Sequence, residues 1–401
     1  MDKQNRQQVA YDYILSNYVQ NDRLRRDIIS NKVQILKENW QDITTCDIND
    51  IVCDCSLESG VSIGAKEVLA VLQSHTIPDV HPLREYVEHC HPYEETHPDW
   101  IGLLAGQVNV EGGAQEQELW AYCFKKWFVA MVASWMKDEI VNQQVLVLIG
   151  RQGIFKTTWL ERLLPPQLRA YGCKMANTSQ LNKDERLRIA EYGLIALDEI
   201  DSMSVKELNV MKSVITASDI SERAAYGYTK ERRIRLASFC ASGNKQEFLT
   251  DLTGNRRWLP FHVRSIVNPF DTHQMYDLIY GQAKYLIEHG FQYWFDLEDI
   301  TWLENHNDSF RSQENEEQLL RVYFDIPDEG REQFMTTAEI SERLVTMGSI
   351  KKPMPINRLG MLLKKAGFQS KQIGTGSRTR GWLVRERSID EVLANRMKDA
   401  R

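Results

Sequence analysis

The chain has 401 residues, 42% hydrophobic and 26% charged, with a formal net charge of −7. That length suits two or three domains of about 100–200 residues each, and the acidic balance excludes indiscriminate coating of nucleic acid while leaving room for a local basic surface. No stretch reaches the ~20 apolar residues of a membrane span, MDKQNRQQVAYDY lacks the apolar core of a secretory signal, and seven scattered cysteines make no disulfide framework, so a cytoplasmic protein without a membrane partner is expected.

Residues 1–114 read as a helical domain. GAKEVLAVLQSH (64–75) and PLREYVEHC (82–90) have helical apolar spacing. Cys46, Cys53 and Cys55, with His89, Cys90 and His91, raise the idea of a metal cluster. The spacings C-x-C and H-C-H do not match structural zinc sites, and buried or idle thiols are the simpler reading. EQELWAYCFKKWFVAMVASWMKDE follows as the clearest helix. Trp120, Phe124, Trp127, Phe128, Met131, Val132 and Trp135 share one broad face, a core stripe.

Strand and helix then alternate. VLVLI (145–149) suits a parallel strand buried on both faces. TTWLERLL (157–164) is a helix stopped by Pro165-Pro166, and KDERLRIA (183–190) is another. LIAL (194–197) and IRLASFCAS (234–242) read as further strands. This alternation predicts an α/β domain over 115–315, its strands ending near 265.

From 316 to 401 the pattern changes. Thr336 to Glu339 is a capping-box start for a helix bearing Ile340 and Leu344. Asn357 is expected to cap a second helix carrying Leu359, Leu362, Leu363 and Ala366, ended by Gly367. QSKQIGTGSRTRGWLV gives two extended arms around a glycine-rich turn, and SIDE (388–391) opens a last short helix. Two helices and a hairpin outline a winged helix. Between 351 and 387 Glu386 is the only acid among ten basic residues, Lys371, Arg378 and Arg380 among them. Such a patch suits a duplex or fork contact; the other reading is a module that packs on protein and uses its charge for solubility.

Four motifs carry chemistry. In VLVLIGRQGIFKTTWLERLLPPQ, Gly150, Lys156 and Thr157 are in register with the phosphate-loop pattern G-x-x-x-x-G-K-[ST]. Gly150, Gln152, Gly153, Ile154, Phe155, Lys156, Thr157 and Thr158 would surround a nucleotide, with backbone N–H groups and a helix N-terminus converging on the phosphates. Phe155 replaces the pattern's glycine. If the position needs φ > 0 the ring costs on the order of 1–3 kcal/mol, and it must point away from the phosphates. GLIALDEIDS, about 40 residues later, ends an apolar strand in Asp198 and Glu199, suited to hold Mg²⁺ with Thr157 and to polarise water. SFCASGN ends in Asn244, suited to the water or the γ-phosphate. TGNRRWLPF sets Arg256 and Arg257 before a strand, from where one can reach transition-state charge in a neighbouring subunit. Together they read as a site for ATP hydrolysis.

In order and spacing these motifs resemble the virulence-associated protein E family, which is related to the superfamily 3 helicases of viruses and mobile elements. The resemblance runs from about residue 80 through 265 and is most specific in GRQGIFKTT, LIALDEID and VMKSVITASDISERAAYGYTKERRIRLASFCASGNKQEFLTDLTGNRRWLPF. It implies an AAA+-like P-loop NTPase core, between the N-terminal helical domain and the C-terminal winged helix. It also implies that Lys212, Arg223, Lys230, Arg232 and Arg233 belong to a hairpin that grips single-stranded DNA. Basic residues interleaved with Tyr226 and Tyr228 fit that role; a solvated basic loop is the alternative. Family members often carry a primase-like domain upstream, so a separate primase is an expected partner. The reading is an ATP- and Mg²⁺-dependent DNA helicase, a hexameric homo-oligomer ring, acting in replication of a phage or mobile genetic element, with 3′ to 5′ movement implied by the resemblance alone. The alternative is an ATP-switched DNA-binding initiator or loader without unwinding activity; a small-molecule phosphotransferase is a third reading.

Overall fold

The computed structural model describes residues 3–175, 189–222, 231–245, 248–249, 255–310, 320–328, 330, 332–346, 354–373, 379–388 and 391–392. The helix expected over 183–190 lies outside them except for its last two residues. Two compact units divide the chain, residues 1–244 with 257–299 and residues 245–256 with 300–401.

The first unit begins with helix α1 (Lys3–Ile14). It continues through strands β1 (Leu24–Asp27), β2 (Lys32–Leu36) and β3 (Trp40–Asp42), helices α2 (Thr45–Ser59) and α3 (Ala65–Leu72), and strand β4 (Asp79–Val80). Residues 1–114, expected from sequence to be a helical domain, are not wholly helical: they also hold a four-stranded sheet, β3-β2-β1-β4. The strands LRRD, KVQIL and WQD are only three to five residues long, too short for a period of two to stand out. They form because Leu24 and Ile35 join Ile14, Ile51, Val68 and Leu72 in one core. Nor does residue 114 separate compact units. Tyr171 donates to buried Asp27 at 3.0 Å, and the Arg84 guanidinium pairs with Asp138 at 2.7 Å.

Helices α4 (Pro82–Glu88) and α5 (Trp100–Ala105), strand β5 (Val108–Val110) and helix α6 (Ala114–Met136) lead to the central sheet. The seven stripe residues of α6 are fully buried, and so are Cys123, Val129, Ala133 and Ser134, which makes this helix buried nearly all round rather than on one face. Trp120 packs on Trp159 and on Phe261, with ring centroids 6.1 and 5.2 Å apart. Each such ring contributes about 1.5–3 kcal/mol by leaving water.

The sheet comprises β5, β6 (Val145–Ile149), β7 (Gly172–Met175), β8 (Leu194–Leu197), β11 (Ser238–Gly243) and β12 (Trp258–Ile266), in the order β5-β12-β6-β11-β8-β7. Only β5 is antiparallel to its neighbour. Between these strands come α7 (Lys156–Glu161), α8 (Val205–Thr216) and a hairpin of β9 (Asp219–Glu222) and β10 (Glu231–Ile234); α9 (Tyr276–Glu288) follows β12. The strand expected over 234–242 begins only at Ser238. Arg235, 1% exposed, interrupts it by turning inward to donate to the carbonyls of Ala217, Ala237, Asn142 and Ile215.

In the second unit, α10 (Leu297–Asn307, shared with the end of the first) precedes β13 (Phe324–Asp325), β14 (Gln333–Met335), α11 (Thr337–Thr346), α12 (Ile356–Lys365), β15 (Gln369–Ile373) and β16 (Thr379–Glu386). Thr336 and Glu339 make the expected capping box, at 2.7 and 3.2 Å. Asn357 does not cap α12. That helix starts at Ile356 behind Pro355, and Asn357 lies in its first turn. Gly367, at φ +89°, ends it, its N–H donating to the Lys364 carbonyl at 3.2 Å. Ile340, Leu344, Leu359, Leu362, Leu363 and Trp382 form the core beneath two helices and an antiparallel pair. Of SIDE (388–391), Ile389 and Asp390 lie outside the described residues.

Candidate active site

Strand β6 is buried along its whole length and delivers the chain to a loop at its carboxyl end. The Gly150 N–H donates to the Gly243 carbonyl at 3.1 Å, tying the loop to β11. A Cβ at 150 would stand 2.6 Å from the Val263 carbonyl oxygen, so glycine is needed for this close approach. Gln152 and Gly153 are exposed and Ile154 is half-buried. Phe155 takes φ 66° and ψ 18°, the left-handed region that costs a side chain roughly 1–2 kcal/mol. Its ring is exposed and meets Phe270 edge-on, with centroids 6.4 Å apart.

Lys156 opens α7 with only 7% exposure. Its ammonium donates to the carbonyls of Gly150 and Arg151 at 2.7 and 2.6 Å and to Asn244 Oδ1 at 3.3 Å. Burial lowers its pKa, against the pull of Asp201 and Asp198. Thr157 Oγ1 donates to Asp198 Oδ1 at 3.1 Å and lies 2.9 Å from Ser242 Oγ, which itself donates to Asp198 Oδ1 at 2.8 Å. Lys174 Nζ takes the other carboxylate oxygen at 2.7 Å. Burial pushes the Asp198 carboxyl up, but Lys174, Ser242 and Thr157 together hold it below its usual range. The Asn244 N–H donates to Asp201 Oδ1 at 3.1 Å. Glu199, at φ 52°, and Thr158 join these groups around a cleft of about 320 Å³.

The cleft exists because β11 runs between β6 and β8, all three parallel. Their carboxyl ends coincide, and Lys156, Asn244 and Asp198 follow those ends in turn; open parallel sheets form their ligand crevices there. A buried cation, two hydroxyls and a carboxylate can hold a polyanion together with a hard cation. Thr157, Ser242 and Asp198 offer oxygen donors of the kind Mg²⁺ takes while keeping several waters.

Comparison with known proteins places the chain in a family. The virulence-associated protein E-like domain matches residues 105–312, half of the chain. The chain belongs to that family. Two solved structures of the NrS-1 C-terminal region align with this chain. One apo structure aligns over 96% of this chain and 100% of its own at 12% identity, with a TM-score of 0.50. The other, an A form, aligns over 93% and 98% at 11% identity, with a TM-score of 0.48. No curated protein matches.

Within the virulence-associated protein E-like region, three residues that serve the site went unnamed in the sequence reading: Ser242 lines the cleft, and Lys174 and Asp201 hold Asp198 and the Asn244 N–H from beside it. Ser242 stands two residues before Asn244 on one strand and Asp201 three after Asp198, a usable signal for both. Lys174 has none, since it arrives from β7 across the sheet. Arg233 is ion-paired with Glu191 at 2.8 Å, and Lys212 is half-buried on α8. Arg232 pairs with Ser221 in the hairpin backbone. Arg223, Tyr226, Tyr228 and Lys230 lie outside the described residues. Arg256 is exposed and Arg257 half-buried in a short turn, Asn255–Arg257.

Beyond the family region, Lys371 and Arg380 are exposed, and Arg378 lies outside the described residues. Lys371 pairs with Gly381 and Arg380 with Gln372, so alternation sets these two charges on opposite faces of the β15–β16 pair. Arg385 and Arg387 are held by Asp325 at 2.7 and 3.0 Å, which removes two charges from the basic surface expected there. Among the described residues no helix is long and apolar enough to cross a membrane.

Proposed function

We propose that this protein is an ATP-dependent DNA helicase of the superfamily 3 type, an AAA+-like P-loop ATPase that works as a ring in replication of a phage or mobile element. The observation that carries the reading is the meeting of Lys156, Thr157, Asp198 and Asn244 at the carboxyl ends of three adjacent parallel strands. Lys156, already out of water, neutralises charge on the β- and γ-phosphates. Thr157 and Asp198, with Ser242 beside them, are the residues that would hold a Mg²⁺, and the ion would supply positive charge next to the phosphates. Glu199 orients the attacking water and accepts its proton as the water oxygen bonds to the γ-phosphorus and the bridging oxygen departs with ADP. Asn244, steadied through its backbone by Asp201, reads the γ-phosphate. Arg256, being exposed, is available to a neighbouring subunit. The β9–β10 hairpin and the two-helix-and-hairpin module, taken as a winged helix, supply the DNA contacts.

Strand displacement on a forked duplex tests this, together with ATP hydrolysis with and without single-stranded DNA. Lys156→Ala is expected to abolish ATP binding. Glu199→Gln should keep binding while hydrolysis falls at least about 100-fold. ATP and DNA binding without displacement would favour a loader instead. Hydrolysis indifferent to DNA would count against both readings.

A further inference from the structure

A second cavity, of about 440 Å³, shares Thr158 with the cleft around Lys156. Leu194 and Ala196 of β8 give it an apolar floor, and Lys174, the partner of Asp198, also lines it. Its wall is unusual. Phe270 is 66% exposed, which is costly for a ring with nothing to cover it. The ring is nevertheless positioned from two sides. The Arg162 guanidinium lies 4.8 Å from its centroid, and Phe155 meets it edge-on. Arg162 Nε, though buried, has no hydrogen-bond partner among the described residues.

Phe155 thus acquires a reason. Glycine would adopt φ 66° without strain, yet the chain keeps a phenylalanine there and uses the ring to set Phe270. A flat ring backed by a guanidinium is a stacking platform for a nucleobase, because every base presents a π-face. Thr158, two residues past Lys156 on α7, lines both spaces, so a sugar attached to phosphates held at Lys156 can pass from the cleft into the cavity there.

We propose that this cavity receives the nucleoside of the triphosphate whose phosphates lie at Lys156, with Phe270 and Arg162 forming the wall on which the base stacks and Phe155 positioning Phe270. The inference rests on the nucleotide reading above and adds to it a base subsite whose stacking wall, Phe270 and Arg162, is not among the residues expected at the phosphates.

Equilibrium binding of ATP and of inorganic tripolyphosphate to the full chain, both with Mg²⁺, tests it. The wild type should bind ATP about tenfold or more tightly than tripolyphosphate, the difference being the stacked base. Phe270→Ala should weaken ATP about tenfold and leave tripolyphosphate unchanged, which also shows that the variant is folded. Phe270→Trp should retain ATP affinity, and Phe155→Gly should lose a few-fold for ATP alone. If Phe270→Ala binds ATP like the wild type, or loses both ligands equally, the base subsite is wrong while the phosphate site stands. A wild type that binds neither ligand ends the nucleotide reading and this inference with it.

Discussion

Asp198 shows how one carboxylate is shared. One oxygen accepts from Thr157 and Ser242, and the other from Lys174. Its folded pKa lies below the ordinary carboxylate value, so its charge contributes stability that is fully present above that value and lost as pH falls through the depressed one. Removing Lys174 leaves a partly buried carboxylate with less compensation and raises its pKa. Lys174→Met is therefore expected to start acid unfolding at a higher pH than the wild type. Far-ultraviolet circular dichroism during acid titration reads this, and coincident acid limbs would show that the pair does nothing for the fold. Lys156, Thr157, Asp198 and Asn244 were legible in sequence because each lies just beyond a strand-like apolar segment at a motif-defined place. Lys174 was not, since its importance comes from a partner 24 positions away that local pattern cannot supply.

At the scale of elements, Arg235 separates what looked like one strand into a hairpin arm and a sheet strand. It does so by donating to four backbone carbonyls from α6's exit, α8's end and its own turn. Sequence reading carried the run IRLASFCAS through this residue because a single arginine in an apolar run is usually an exposed strand position. Burial with four of the guanidinium's five N–H groups bonded to backbone carbonyls is a tertiary outcome. Arg235→Met keeps most of the volume but strands those acceptors, each worth about 1–3 kcal/mol when buried and unpaired. A loss of at least about 3 kcal/mol in urea-induced unfolding is expected. A loss under 1 kcal/mol would mean that water replaces the guanidinium there. The capping box at Thr336–Glu339 was readable outright, since all its groups lie within four residues.

At the scale of the whole molecule, the proposed ring requires sites completed by a neighbour. Arg256→Ala should bind ATP normally and hydrolyse it at least about 100-fold more slowly, as loss of a charge-stabilising arginine does. Mixing Arg256→Ala with Lys156→Ala subunits should then restore measurable hydrolysis, because some junctions combine an intact arginine with an intact lysine. A mixture as inactive as its parts would place the arginine's action within its own chain. Mass measured with and without ATP follows the assembly itself.

The amino-acid order alone determined the local units: an apolar run ending in a glycine loop and Lys156-Thr157, another ending in Asp198-Glu199, a third ending in Asn244, and two helices, the first with its capping box, before a hairpin. Each is a matter of neighbours along the chain, where periodicity and turn chemistry act. The three-dimensional fold decided which strand lies beside which, so that β11 separates β6 from β8 and carries Ser242 to Asp198. It also decided which charges are already spoken for, with Arg233 on Glu191 and Arg385 on Asp325. It set the Phe155 ring against Phe270. Those outcomes depend on distances through space between residues tens to more than a hundred positions apart, which no local pattern encodes.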